Sequence, residues 1–234
     1  MMIGINEFWI KIIALVAMVV DHIGLFFYPD IVVLRMIGRI SFPLFAWLVA
    51  NGAYHTRNMN GYIVRLFVFA VITQWPYLLV RHQINPFFFG FNPLFDLFLG
   101  LVAIKAIRQV SVKWKKVAIV TACALVANLF GVEYGFMGVL SVVFFYLYFN
   151  DKKKMAVAQT LVYIIPYLAK VLSPFFVGGL AHVDISRYCE PLGLLSLLMI
   201  FLYNGKQGVK MKYFFYFFYP LQFAVIFIVK SLVK

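Results

Sequence analysis

Cysteine and histidine are scarce: two and four residues in a chain of 234. Cys123 and Cys189 both fall in or beside apolar runs. A free cysteine there behaves as a small buried hydrophobe, so neither a disulfide nor a thiolate metal site is expected. The histidines show no HExxH spacing and the cysteines no CxxC, so no zinc is expected. A Walker loop and a GxGxxG run are also missing, which argues against an ATPase or a dinucleotide enzyme. Charge is sparse too. Only 12% of the residues are Asp, Glu, Lys or Arg, where a soluble domain carries about a quarter. No stretch between the apolar runs is long enough for a separate soluble domain, and no internal repeat is visible. The first apolar run is too long for a signal-peptide core and no small-residue cleavage site follows it, so it reads as a retained helix.

What is present is apolar and aromatic. Hydrophobic residues make up 65% of the chain and aromatic residues 19%, and the mean hydropathy is +0.94. This composition predicts an all-α fold, a polytopic integral membrane helical bundle forming one domain over residues 1–234. A span needs about 20 residues, fewer when polar loops cap it. Candidate spans are 8–28, 31–54, 62–80, 93–109, 116–131, 134–149, 155–177, 188–204 and 213–230, about nine. The 116–149 pair is short and separated only by "GVEYG", so an eight-span version stays open.

The formal net charge is +13, and its placement reads as topology. Basic residues gather around loops 55–61, 110–115, 150–154 and 205–212. With nine spans these loops alternate onto one side together with the N-terminus. The positive-inside rule then makes the N-terminus cytoplasmic. The opposite loops hold Asp30, Arg81, Glu133, Asp184 and Arg187, and the exceptions Lys230 and Lys234 fall outside. Because the bases are spread over short loops, anionic lipid headgroups are the expected partner and nucleic acid is not.

Several ionisable residues sit where lipid should forbid them. The first span, "KIIALVAMVVDHIGLFFYPD", contains Lys11, Asp21 and His22. Insertion scales put Asp or Lys at mid-bilayer at roughly 2.5–3.5 kcal/mol each. Lys11 and His22 are eleven residues apart and share a helix face, with a rise of about 16 Å. Asp21 points about 100° away from His22 and is expected to contact another helix. Read singly, Lys11 snorkels to headgroups and His22 is a packed bundle histidine; the same-face stack favours a functional track. In the second span, Arg35 and Arg39 stand at i, i+4 on one face and need an anion, a carboxylate or water. Asp21 is the natural partner. Gly38 would permit close helix approach, and Pro43 should break or kink the span. In the following loop, His55, Arg57, Asn58, Tyr62 and Arg65 cluster, which positive-inside bias or an anionic cofactor explains equally well. Gln74, Trp75 and Pro76 read as a polar kink, Asp96 and Glu190 start spans where a carboxylate suits the helix dipole, and Lys170 lies deep in the seventh span.

The stretches "KIIALVAMVVDHIG", "LRMIGRISFPLFAWLVANG", "TRNMNGYIVRLFVFAVITQWPY", "EYGFMGVL" and "KYFFYFFYP" together resemble the TraX family over nearly the whole chain. The namesake of that family acetylates the N-terminus of a conjugative pilin. The Lys-x10-His spacing is also similar to the first-helix motif of the larger polytopic acyltransferases and of the heparan acetyltransferase. The resemblance implies a transmembrane acetyltransferase in the inner membrane of a bacterium. Its co-substrate would be cytoplasmic acetyl-CoA, with no metal, and its acceptor an extracytoplasmic peptide, pilin or glycan; the oligomeric state is left open. It makes His22 the catalytic histidine, with Asp21, Arg39 and Arg35 in the same set, the arginines stabilising an oxyanion. Lys11, Arg57, Asn58, Tyr62 and Arg65 would serve the acyl donor. Gln222 stands where the family pattern has His, and Asn51 where an acid is common. The rival class is a small-solute or proton-coupled transporter, since intramembrane Asp, His, Arg and Lys also build proton relays. Transporters often show repeated halves.

Overall fold

The computed structural model describes residues 4–177 and 189–232. Asp184 and Arg187 lie outside the described residues, as does the side chain of Lys170. The helices are α1 (Glu7–Phe26), α2 (Val32–Gly38), α3 (Ser41–His55), α4 (Met59–His82), α5 (Leu94–Arg108), α6 (Lys113–Leu129), α7 (Gly135–Leu147), α8 (Lys152–Val177), α9 (Ser196–Phe201) and α10 (Lys212–Leu232). A 3-10 turn at Glu190–Leu195 leads into α9. Among the described residues there is no strand, only isolated bridges between Ile5 and Tyr203 and between Phe91 and Val132. Four stretches are long and apolar enough to cross a membrane: Glu7–Phe26, Val32–His55, Met59–His82 and Tyr213–Leu232. The chain is thus an all-helical membrane protein.

Its contacts divide into two compact units, 1–45 with 150–208, and 46–149 with 209–234. In the first unit, α1 packs on α2, and α8 packs on the 3-10 turn. Inside lipid the hydrophobic effect does not drive helices together, so close approach of small residues matters more. The α1–α2 contact shows this. A Cβ on Gly24 would stand 2.7 Å from Leu34 Cβ, and one on Gly38 would stand 2.2 Å from Asp21 Cβ. Only glycine fits at either place. Asn6 caps α1 by accepting from the Trp9 N–H at 3.1 Å. The buried Ser41 hydroxyl donates to the Ala14 carbonyl at 2.9 Å, tying the start of α3 to α1. The expected break in the second span lies at Arg39–Ile40, and Pro43 occupies the first turn of α3, where its missing N–H costs nothing.

In the second unit, α5, α6 and α7 pack against one another and α4 packs on α5 and α10. The short pair at 116–149 forms the helices α6 and α7, joined through Gly131 and Gly135, whose φ values of 61° and 55° favour glycine. α4 runs on through Pro76 as one helix. Gln74 beside it is held by the loop before α5, donating to the Gly90 carbonyl at 2.8 Å and accepting from Asn92.

Asp151 precedes α8. Its carboxylate accepts from the Lys154 backbone N–H at 3.0 Å and pairs with the Lys154 ammonium. The backbone bond chiefly, then the ammonium, hold this carboxyl below its ordinary range. The sign follows directly. A lowered folded-state value stabilises the fold above the ordinary carboxylate range, about 3.9 for Asp, and that contribution is lost as pH falls through the lowered value. Asp151→Asn should therefore melt below wild type at neutral pH, with the two melting curves converging below about pH 4. A gap that stays constant across that range would refute the linkage.

Candidate functional site

In the first unit the geometry centres on Asp21. Its position, about 100° around α1 from His22, turns it toward α2. Arg35 and Arg39, one turn apart on α2 and its C-cap, both reach it. Arg39 Nη2 donates to Asp21 Oδ1 at 2.6 Å, and Arg35 Nη1 donates to Oδ2 and, at 3.2 Å, to the Asp21 carbonyl. Arg39 Nε also donates to the Arg35 carbonyl at 3.2 Å. All three charged side chains are largely buried, at 10–14% exposure. One carboxylate thus binds two guanidinium groups at once, each through its own oxygen. Gly38, without a side chain, is what lets Asp21 come so near the α2 backbone.

His22 is half-buried on α1, its ring 6.0 Å from that of Phe26. The carboxylate next to it in sequence is committed to the arginines, so Asp21 holds α2, as its position on the helix implies. Lys11 lies on the same continuous helix and pairs with Glu7, one turn earlier. The sequence reading missed that partner, although an acid four residues before a lysine is a visible helical pair.

The other donor-site candidates belong to the second unit. Arg57 is exposed in the loop between α3 and α4. Asn58 caps α4, accepting from the Gly61 N–H at 2.8 Å. Tyr62 packs against Gly52, where a Cβ would meet its ring at 2.9 Å. Arg65 stands over the Tyr62 ring at 5.8 Å and beside the Tyr216 hydroxyl. His55 Nδ1 is 2.9 Å from the Asn51 carbonyl. The structure brings these residues together around the start of α4.

A second polar cluster in this unit escaped the sequence reading. The Tyr77 hydroxyl donates to the Glu133 carboxylate, and Arg81 Nη2 donates to both Glu133 oxygens at 3.0 and 3.1 Å. The Arg81 guanidinium also stacks 4.5 Å over the Phe88 ring. Asp96, completely buried in the first turn of α5 where the sequence places a carboxylate, also accepts from the Tyr134 N–H at 3.0 Å just before α7. The "EYG" of the "EYGFMGVL" stretch is the signal that could have pointed here.

The family model described as "TraX protein" matches residues 7–230. The chain belongs to the TraX family. It is 28% identical to the "Probable fimbrial assembly protein FimC, serogroup H1" of Dichelobacter nodosus, over 96% of this chain and 95% of that protein. It is 31% identical to "Protein TraX" of Escherichia coli, over 68% of this chain and 64% of that one. No solved structure matches the chain. The first of these relatives carries a fimbrial-assembly name.

Proposed function

We propose that this TraX-family protein is an acetyltransferase of a bacterial inner membrane, moving an acetyl group from cytoplasmic acetyl-CoA to an amine or hydroxyl of a pilin-like or glycan acceptor outside. It shares that logic with the polytopic acyltransferases and the heparan acetyltransferase. The observation that carries the reading is the Asp21–Arg35–Arg39 cluster beside His22. It gathers two largely buried guanidinium groups on the helix pair that carries a group able to act as a base.

In this reading a neutral His22 imidazole takes a proton from the acceptor as its nitrogen or oxygen attacks the thioester carbonyl. The carbon–sulfur bond breaks, and the imidazolium returns the proton to the departing thiolate. Arg35 and Arg39 serve as the cations that offset the developing oxyanion. Alternatively His22 carries the acetyl group itself. Lys11, Arg57, Asn58, Tyr62 and Arg65 serve the donor, with Arg57 and Arg65 facing its phosphates. The nine-span, N-in topology is part of the proposal. The ring pairs Phe69–Tyr216 and Tyr77–Phe223 rise in step along α4 and α10, so these helices run parallel. Parallel spans need an odd number of crossings between them. The nine-span reading has five and the eight-span reading four, which supports nine.

The test is binding of acetyl-CoA by detergent-purified protein, with Arg57→Ala alongside. Saturable binding is expected in wild type, weakened roughly tenfold or more in the variant by loss of a charge-assisted phosphate contact. Absence of binding in well-folded wild type would sink the acetyl-CoA reading. Equal affinity in the variant would reduce Arg57 to a topology signal.

A further inference from the structure

The parallel contact between α4 and α10 hides polar groups that the fold itself does not use. On α4, Phe69, Thr73 and Tyr77 follow one another at i, i+4, i+8 and so share a face. Phe69 stacks on Tyr216 at 4.8 Å and meets Phe217 edge-on, while Tyr77 meets Phe223 at 5.5 Å. Thr73, between them, therefore faces α10. Its side chain is completely buried, and its hydroxyl has no hydrogen-bond partner among the described residues. On α10, Tyr219, Gln222, Phe223 and Ile226 form the buried face. Gln222 is 9% exposed, and neither its amide nitrogen nor its amide oxygen has a hydrogen-bond partner among the described residues. Each helix also carries an interior proline, Pro76 and Pro220. Buried polar groups are normally paired, and in lipid no solvent is at hand to serve them. A seam with unmet donors and acceptors at this depth is built for a polar guest.

The seam starts at a cation. Arg65 lies on α4 beside the Tyr216 hydroxyl, eight residues and about 12 Å before Thr73. The Phe69–Tyr216 ring stack lies between. A guest that fits this order has an anionic head, an apolar stretch and then amide groups. We propose that the α4–α10 seam receives the pantetheine arm of coenzyme A, with Thr73 and Gln222 hydrogen-bonding its amides and Phe69 and Tyr216 packing its dimethyl-bearing segment. This rests on the acetyl-CoA reading above and adds the residues that hold the arm. It also gives position 222 a use in this chain: a carboxamide both donates and accepts, as an amide ligand requires.

The experiment compares coenzyme A with adenosine 3′,5′-bisphosphate, which keeps a phosphorylated adenosine head but lacks the arm. Both are titrated into purified wild type, Gln222→Leu and Thr73→Val. Wild type should bind coenzyme A more tightly than the bisphosphate. Each variant should weaken coenzyme A by about five- to tenfold, the scale of one or two lost hydrogen bonds, and leave the bisphosphate unchanged. Thr73→Val changes shape least and carries the test should Gln222→Leu fail to fold. Unchanged coenzyme A affinity in folded variants would overturn the seam assignment and leave the acetyl-CoA reading standing. Failure of wild type to bind either compound would overturn both.

Discussion

His22→Ala should fold and bind acetyl-CoA with near wild-type affinity, yet lose acetyl transfer by about two to four orders of magnitude. That is the usual contribution of a positioned general base, and more is lost if the imidazole carries the acetyl group. The side chain is half-buried on α1 against Phe26, while the Asp21 salt bridges run through a different side chain. Release of the coenzyme A thiol, followed with acceptor present, is the direct readout. Wild-type turnover in a folded variant would remove His22 from the mechanism. Quenching wild type with radiolabelled acetyl-CoA and no acceptor then separates the two routes. Label retained on the protein at His22 indicates a carrier, and unlabelled protein indicates direct transfer.

The second large effect concerns stability. Asp21→Ala would take from the largely buried Arg35 and Arg39 the carboxylate that both of them bind. Breaking a buried pair from one side typically costs about 3–5 kcal/mol, because the remaining charge loses its compensation. The variant should melt well below wild type in detergent. The triple variant Asp21→Leu, Arg35→Met, Arg39→Leu should recover most of that loss, since apolar side chains of similar size often replace a buried ion cluster at little cost. It should nevertheless be inactive if the two arginines serve the oxyanion. A single variant that melts with wild type would show that the cluster contributes nothing to the fold.

The membrane character and helix positions were legible because they depend on composition and on runs of about twenty residues. So was the Asp21 pairing: the angle between Asp21 and His22 on α1, the one-turn spacing of Arg35 and Arg39, and the bare Gly38 all point to one contact. The break before Pro43 followed from proline's missing donor. What sequence did not offer were partners far apart along the chain. Tyr77 meets Glu133 across 56 positions and Asp96 meets Tyr134 across 38, and no helical period encodes either. Asn58 shows a different limit. A polar residue beside Arg57 reads as a ligand contact, while its side-chain oxygen caps α4. The local backbone demand of a helix start favours the same residue type, so a cap and a ligand contact look alike at this position.

The α1–α2 contact also bears on how the chain enters the membrane. Alone, α2 would bring two guanidinium groups into lipid and α1 a carboxylate, each at roughly 2.5–3.5 kcal/mol at mid-depth. Paired, the three groups present a single net charge, already hydrogen-bonded. The connection from Phe27 to Ile31 is short, and Gly24 and Gly38 let the helices close on each other without rearrangement. Insertion of α1 and α2 as a paired hairpin therefore costs less than insertion of either helix alone. The contact that holds the two helices together thus also lowers the cost of placing their charges in lipid.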